Sequence, residues 1–297
     1  MGDNSILAPS VQELAKQAIS KVPDQYLQPN QDPIFLSDRI TLSQLPIINF
    51  DKLLSEDEIE LENLDKACKE WGFFQLMNHG VNSSLVESVK SGVEEFFNLP
   101  MEEKKKFWQT PEEMQGFRQI YVALEEEKLR WGDMFFVKTF PLHRRHPYLI
   151  PSIPQPFRDD FENYCLEMKK LCISIMEFMS KALKIKPNVF FDLFEDGSQA
   201  MRMGYYPPCP QPEQVIGLNP DSDVTAITIL LEVNQVQGLQ IKKDGMWIPI
   251  NPLSNAFLVN VGDALEVLTN GIYKSIEHRV TVNSMKERIS LAAFHNP

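Results

Sequence analysis

The periodicity of the chain changes once, near Ala200, and that change limits the fold more than any other feature. From there on, apolar residues come in short runs: "AMRMGYYPP", "VIGLNP", "AITILLEV", "GLQIKK", "MWIPI", "AFLVNVG", "SIEHRVTV" and "RISLAAF". Turn-forming clusters such as "KDG", "NPLSN" and "TNG" separate them. Upstream, Phe157, Phe161, Tyr164, Met168, Leu171, Ile175, Met179 and Leu183 recur every three or four residues, the spacing of one long amphipathic helix. Helices followed by about eight strands predict an α+β chain: a jelly-roll or β-sandwich core with N-terminal and flanking helices. The division falls between residues 1–195, helical and mixed, and 196–297, the strand-rich core.

The first region carries further local signals. "LPIINF" (Leu45 to Phe50) and "FFQLMNHGV" (Phe73 to Val81) predict strands. "SEDEIELENLDKACKEWG" (Ser55 to Gly72) predicts an acid-capped helix ending at glycine, and a further helix is expected over Leu85 to Phe97. At 297 residues and 43% hydrophobic, the chain has ample material for a core. A formal charge of -12 argues against nucleic acid as a partner, since such proteins present a basic face. No apolar run is long enough to span a membrane, and the N-terminus lacks the basic start and apolar core of a signal peptide. None of the cysteines, Cys68, Cys165, Cys172 and Cys209, forms a C-x-x-C pair, so free thiols in the cytoplasm are expected. Cys165 and Cys172 lie beside the helical stripe, as core fillers would.

The stretch "IGLNPDSDVTAITILL" (Ile216 to Leu231) is expected to be one buried strand with two acids near its head. Residues at i and i+2 of a strand share a face, so Asp221 and Asp223 would point the same way and repel unless a cation or proton lay between them. In a jelly roll, strands distant in sequence meet at one end. Asp223 and His278 brought together there would suit two corners of an iron(II) facial triad. Arg288, on a neighbouring strand with Ser290 beside it, could fork onto a carboxylate. On pattern alone, a hydrogen-bonded sheet histidine and a surface ion pair are the more ordinary explanation of the same residues.

Longer stretches carry more information. "ACKEWGFFQLMNHGV", "MRMGYYPPCPQP", "GLQIKKDGMWIPI", "NAFLVNVGDALEVLTNGIYKSIEHR" and "ERISLAAFH" together resemble the plant iron(II)- and 2-oxoglutarate-dependent dioxygenases. The likeness is greatest to the specialised-metabolism branch, with its thebaine and codeine O-demethylases, senescence-related oxygenases and norcoclaurine-synthase-like proteins. It runs from about Val11 to the last residue. The resemblance implies a double-stranded β-helix with helices packed around it. It implies metal ligands at Asp223 and His278, with Asp221 in the place of the third. Arg288, Ser290 and Tyr206 would hold 2-oxoglutarate, and Phe294 would line the substrate pocket. Fe(II), 2-oxoglutarate as co-substrate and ascorbate as reductant are the implied cofactors. The implied partners are O2 and a small aromatic metabolite, alkaloid or flavonoid-like, hydroxylated or O-demethylated by a monomer. His79, His143, His146 and His295 match no ligand position.

Three departures stand against that pattern. The family's first motif is His-x-Asp, and this chain has Asp221 at its first position. The family prefers asparagine where Gly204 stands. Members normally continue beyond the "FHNP" segment at which this chain stops, so a C-terminal truncation is expected. Two carboxylates would cancel the charge of Fe(II). At an effective dielectric near 20, one added charge ~4 Å away is worth about 4 kcal/mol, so 2-oxoglutarate should bind more weakly. Hard cations such as magnesium or manganese become better matched. An inactive relative that binds a small molecule or partner, or a non-oxidative condensing enzyme in the same pocket, is the alternative.

Overall fold

A computed structural model describes residues 5–17, 19–28, 45–110, 114–117, 120–122, 128–186 and 188–297. The elements follow from local chemistry. Ser10 caps a short helix, α1 (Val11–Lys16), by accepting from the Glu13 amide. Asn49 ends strand β1 (Ile47–Asn49) and caps a short helix over Phe50–Leu54, so the strand expected through Phe50 stops one residue sooner. Asp57 caps α2 (Glu58–Lys66), accepting from the amides of Ile59 and Glu60. The chain after α2 turns out at Gly72, where φ is 60° and a Cβ would lie 2.1 Å from the Lys274 carbonyl oxygen. Strand β2 (Phe73–Met77) follows, then α3 (Ser83–Asn98) behind an Asn82 cap. The periodic stripe forms α4 (Phe157–Ala182), which buries Phe157, Phe161, Tyr164, Met168, Leu171, Ile175 and Met179. Cys165 and Cys172 are free and buried beside them, as core fillers.

Apart from Ser5–Leu7 and Ile120–Val122, which pair as a separate two-stranded sheet, the strands are completed by β3 (Gly116–Phe117), β4 (Asp133–Phe140), β5 (Ser198–Tyr206), β6 (Leu218–Asp221), β7 (Ile227–Glu232), β8 (Leu239–Lys243), β9 (Met246–Pro249), β10 (Phe257–Val261), β11 (His278–Val280) and β12 (Arg288–Asn296). They form an eight-stranded sheet ordered β1-β2-β10-β7-β12-β5-β4-β3 and a four-stranded sheet ordered β9-β8-β11-β6. The jelly-roll expectation is met. One face of the larger sheet, with Ile227, Ile229, Leu231, Leu291 and Met203, packs on α4 and α3. Its other face, through Phe73, Tyr206 and Leu258, packs on Leu218, Leu239, Ile241 and Val280 of the smaller sheet. Strict alternation along β7 and β12 therefore sends half their side chains to the helices and half into the space between the sheets.

The single strand expected over Ile216 to Leu231 does not form. β6 ends at Asp221 in the smaller sheet, and β7 begins at Ile227 in the larger one. Asp223 lies in the crossing between them, so the shared-face argument for the two acids does not apply. β6 carries through Pro220 and Asp221, and the turn-forming residues Ser222 and Asp223 open the crossing that follows. Among the described residues, no helix is long and apolar enough to cross a membrane.

Candidate functional site

An inner pocket opens between the two sheets. Asp223, His278, Tyr206, Arg288, Ser290 and Phe294 all line it. A larger outer cleft adjoins it and shares Arg202, Asp223 and Phe294 with it; Asp221 lines this outer cleft and not the inner pocket. The fold thus gathers six of the seven expected site residues and sets Asp221 at the entrance. Arg202 lies over the Phe294 ring, 5.3 Å from its centroid, where pocket and cleft meet.

The Asp223 loop is pinned by backbone bonds. The amide of Asp263 donates to the Asp223 carbonyl at 2.8 Å, and that of Gly262 donates to Ala226 at 2.9 Å. Gly262 is required there, because a Cβ would meet the Thr225 carbonyl oxygen at 2.0 Å. The Asp223 carboxylate is then oriented through one oxygen, Oδ2, which accepts from Thr228 Oγ1 at 2.6 Å and from Asn260 Nδ2 at 2.8 Å. The other, Oδ1, faces His278 Nε2 at 3.8 Å, too far for a hydrogen bond. His278 Nδ1 lies 3.2 Å from the Ile276 carbonyl, which can only accept. Nδ1 must therefore carry the proton, and a neutral His278 presents its Nε2 lone pair toward Asp223. A histidine anchored by a backbone carbonyl and a carboxylate anchored by a hydroxyl and an amide are how metal ligands are held.

The third donor is the weak point. Asp221 is the cross-strand partner of His278, yet it is exposed. Among the described residues, no three His, Cys, Asp or Glu side chains form a group that could hold a metal ion. Partial desolvation at the cleft pushes the Asp221 carboxyl above the usual carboxylate range, Asp223 adds to the effect, and His278, Arg130 and Arg202 oppose it. Asp223 and His278 thus offer two donors to the inner pocket, while Asp221 stands at the cleft.

The far end of the pocket is built by β5, β7 and β12. Arg288 pairs in register with Tyr206, and Ser290 pairs with both Gly204 and Glu232. The Tyr206 ring fills room left by three glycines; a Cβ at Gly204 would lie 3.1 Å from its Cε2 and its hydroxyl, and one at Gly217 would lie 2.7 Å from its Cδ1. Gly238 makes room for Arg288 in the same way, since a Cβ there would lie 2.7 Å from Cδ. The Arg288 guanidinium stands 5.3 Å from the Tyr206 centroid and makes a long 3.5 Å contact from Nη1 to Ser290 Oγ. Its main partner is one that sequence reading missed. Nη2 donates to Glu232 Oε1 at 2.5 Å, with Arg288 2% and Glu232 7% exposed. Burial pushes the Glu232 carboxyl up, while the charge and hydrogen bond of Arg288 hold it down. Glu232 ends the apolar strand "ITILLE", where a lone acid reads as a boundary. Its position two and four residues after Leu230 and Thr228, on one face, was the available signal.

Two family models match the chain. The 2OG-Fe(II) oxygenase superfamily covers residues 197–297, and the non-haem dioxygenase in morphine synthesis N-terminal family covers 45–154. Protein SRG1 of Arabidopsis thaliana is 53% identical over 299 residues, covering 99% of this chain and 84% of that protein. Codeine O-demethylase of Papaver somniferum is 48% identical over 300 residues, covering 99% and 83%. The crystal structure of JOX2 in complex with 2OG, Fe and JA superimposes with a TM-score of 0.89 at 38% identity, covering 98% of this chain and 83% of that one.

Proposed function

The chain belongs to the 2OG-Fe(II) oxygenase superfamily, in its plant specialised-metabolism branch, and from that premise we propose that it oxidises a small aromatic metabolite, alkaloid or flavonoid-like, by hydroxylation or O-demethylation. The family uses Fe(II), 2-oxoglutarate and O2 on small molecules. One observation carries the assignment to this chain: Asp223 Oδ1 and His278 Nε2 face each other across 3.8 Å, and each residue's other polar atom is bonded to the scaffold.

On this proposal Asp223 and His278 hold iron, with Asp221 nearest the third corner. When bound, the metal and 2-oxo acid supply oxygen activation coupled to oxidative decarboxylation. Arg288, Ser290 and Tyr206 orient the far end of the 2-oxo acid. Phe294 and Arg202 flank the passage by which a substrate in the outer cleft reaches the inner pocket. The apolar inter-sheet walls, Leu218, Leu239 and Val280, exclude water from that pocket. Ascorbate as reductant, a cytoplasmic location, a monomeric state without nucleic-acid or membrane partners, and a division into 1–195 and 196–297 belong to the same proposal.

The exposure of Asp221 and the pairing of Arg288 with Glu232 favour a second reading, a relative that retains the fold and binds small molecules with little turnover. Succinate formation from 2-oxoglutarate with Fe(II), ascorbate and O2 separates the two. The oxygenase assignment predicts succinate that disappears in His278→Ala; no succinate above a chelated control overturns it.

A further inference from the structure

Arg288 is the cation at the closed end of the pocket, and its charge is already matched. Glu232 Oε1 takes Nη2 at 2.5 Å, both side chains are almost fully buried, and they come from adjacent strands of the same sheet. The match is incomplete in geometry. Arg288 Nε and Glu232 Oε2 are buried without a hydrogen-bond partner among the described residues. A guanidinium free to meet an incoming carboxylate offers a fork of two parallel donors and a net positive charge. Here one donor is taken and the net charge of the pair is zero. A second carboxylate arriving at Arg288 would meet the Glu232 charge at close range in a pocket with little water to screen it.

We propose that Glu232 is a specificity-determining residue at the co-substrate end of the pocket: by holding Arg288 it removes the preference for a 2-oxo acid bearing a distal carboxylate over one whose far end is uncharged. This rests on the oxygenase assignment and deepens it. The oxo acid end, beside Asp223 and His278, is untouched by the pair. The far end meets a neutral Arg288–Glu232 unit, the Ser290 hydroxyl and apolar walls. A 2-oxo monocarboxylate of the same chain length therefore loses little relative to 2-oxoglutarate.

The test is the ratio of two dissociation constants, measured by calorimetry on the Fe(II)-loaded chain without oxygen, for 2-oxoglutarate and for 2-oxopentanoate. In the unaltered chain, 2-oxoglutarate should bind less than about tenfold tighter. In Glu232→Gln, which keeps shape and removes the charge, its advantage should rise by about tenfold or more, with 2-oxopentanoate nearly unchanged. Arg288→Ala added to Glu232→Gln should abolish the gain. A merely structural Glu232 would shift both acids together and leave the ratio alone. An advantage of about tenfold or more in the unaltered chain overturns the proposal without any variant. An unmoved ratio in Glu232→Gln also overturns it. If the ratio moves and no succinate forms in air, turnover by this chain is overturned, while the binding preference set by Glu232, which draws only on the acid-binding pocket of that assignment, stands. Succinate with an unmoved ratio is the reverse, and no binding of either acid to either protein sinks both.

Discussion

At the proposed metal end of the pocket, Asp223 and His278 each commit one polar atom to the scaffold and leave one free, whereas at the other end Arg288 and Glu232 commit their charges to each other. The two ends lie on the same pair of sheets. One is organised to receive a ligand, and the other has supplied its own. Geometry alone would rate them equally prepared, because Arg288, Ser290 and Tyr206 converge as well as Asp223 and His278 do. Charge compensation separates them: a carboxylate with one oxygen left facing an imidazole nitrogen at 3.8 Å still offers donors to a cation, while a buried ion pair has no net charge to offer.

The largest expected effect breaks the pair. Arg288→Ala strands Glu232 as a buried, uncompensated acid and should cost on the order of 3–5 kcal/mol of stability at neutral pH. Adding Glu232→Gln should recover much of that loss, a coupling visible in a thermal double-mutant cycle. His278→Gln at the metal end should cost well under half as much, since Nε2 has no partner to strand. Equal losses at both ends would erase the contrast.

The metal end should respond to a cation instead. Fe(II) without oxygen, at a hundred times its dissociation constant, should stabilise the unaltered chain by about 2.7 kcal/mol. The gain should vanish in His278→Ala and in Asp223→Ala. A metal-dependent shift that survives both substitutions would place the cation elsewhere.

Strand β12 supplies an internal control, because its other face turns away from the pocket. His295, 3% exposed, has its imidazole pushed down to about 3 by burial. The unfolded chain takes up a proton near pH 6.5 and the folded chain does not. The histidine's contribution is therefore complete above about pH 6.5 and falls as the solution is acidified toward 3, by roughly 1.4 kcal/mol per pH unit. Between pH 7 and pH 5, melts of the unaltered chain should lose about 2 kcal/mol more than those of His295→Asn. Parallel pH profiles would move that acid sensitivity to other groups.

The smallest effect concerns the incomplete corner. Asp221→His supplies an imidazole across the strand pair from His278 and removes a negative charge from the entrance. Fe(II) affinity should rise about tenfold, or ~1.4 kcal/mol, by anaerobic calorimetry. Unchanged affinity would mean that Asp221 already ligates and that the third corner is complete in solution. Gly204→Asn should add no comparable gain, because its Cβ would lie 3.1 Å from the Tyr206 ring and 3.3 Å from Ser290 Oγ, and both would have to give way.

Much of this architecture was legible before any coordinates. The stripe from Phe157 to Leu183 became α4 almost to the residue, and each of the eight runs after Ala200 contains a strand. Such elements are set by periodicity and by caps such as Asp57 and Gly72, which act over a few residues. The stretch around Asp221 departs from its expected strand for a local reason as well: Ser222 and Asp223, which favour turns, lie between apolar flanks that each pair into a different sheet. His278, Arg288, Ser290, Tyr206 and Phe294 are named through the resemblance to the family, each within a stretch that carries it, and Asp223 through the second position of the family's His-x-Asp motif.

What the sequence by itself determined is the set of elements and the list of candidate side chains. The tertiary structure alone decided which charges face which. Glu232 and Arg288 are 56 positions apart, and their pairing depends on the register of β7 against β12, which the packing of two whole sheets sets. Asp221 and Asp223 are two positions apart, yet one ends a strand of the smaller sheet at the cleft and the other is locked inward by Thr228 and Asn260. Electrostatic energy depends on distance in space and on burial, and neither is a property of position along the chain. The same list of residues could describe an open arginine or a neutralised one, and only the fold distinguishes them.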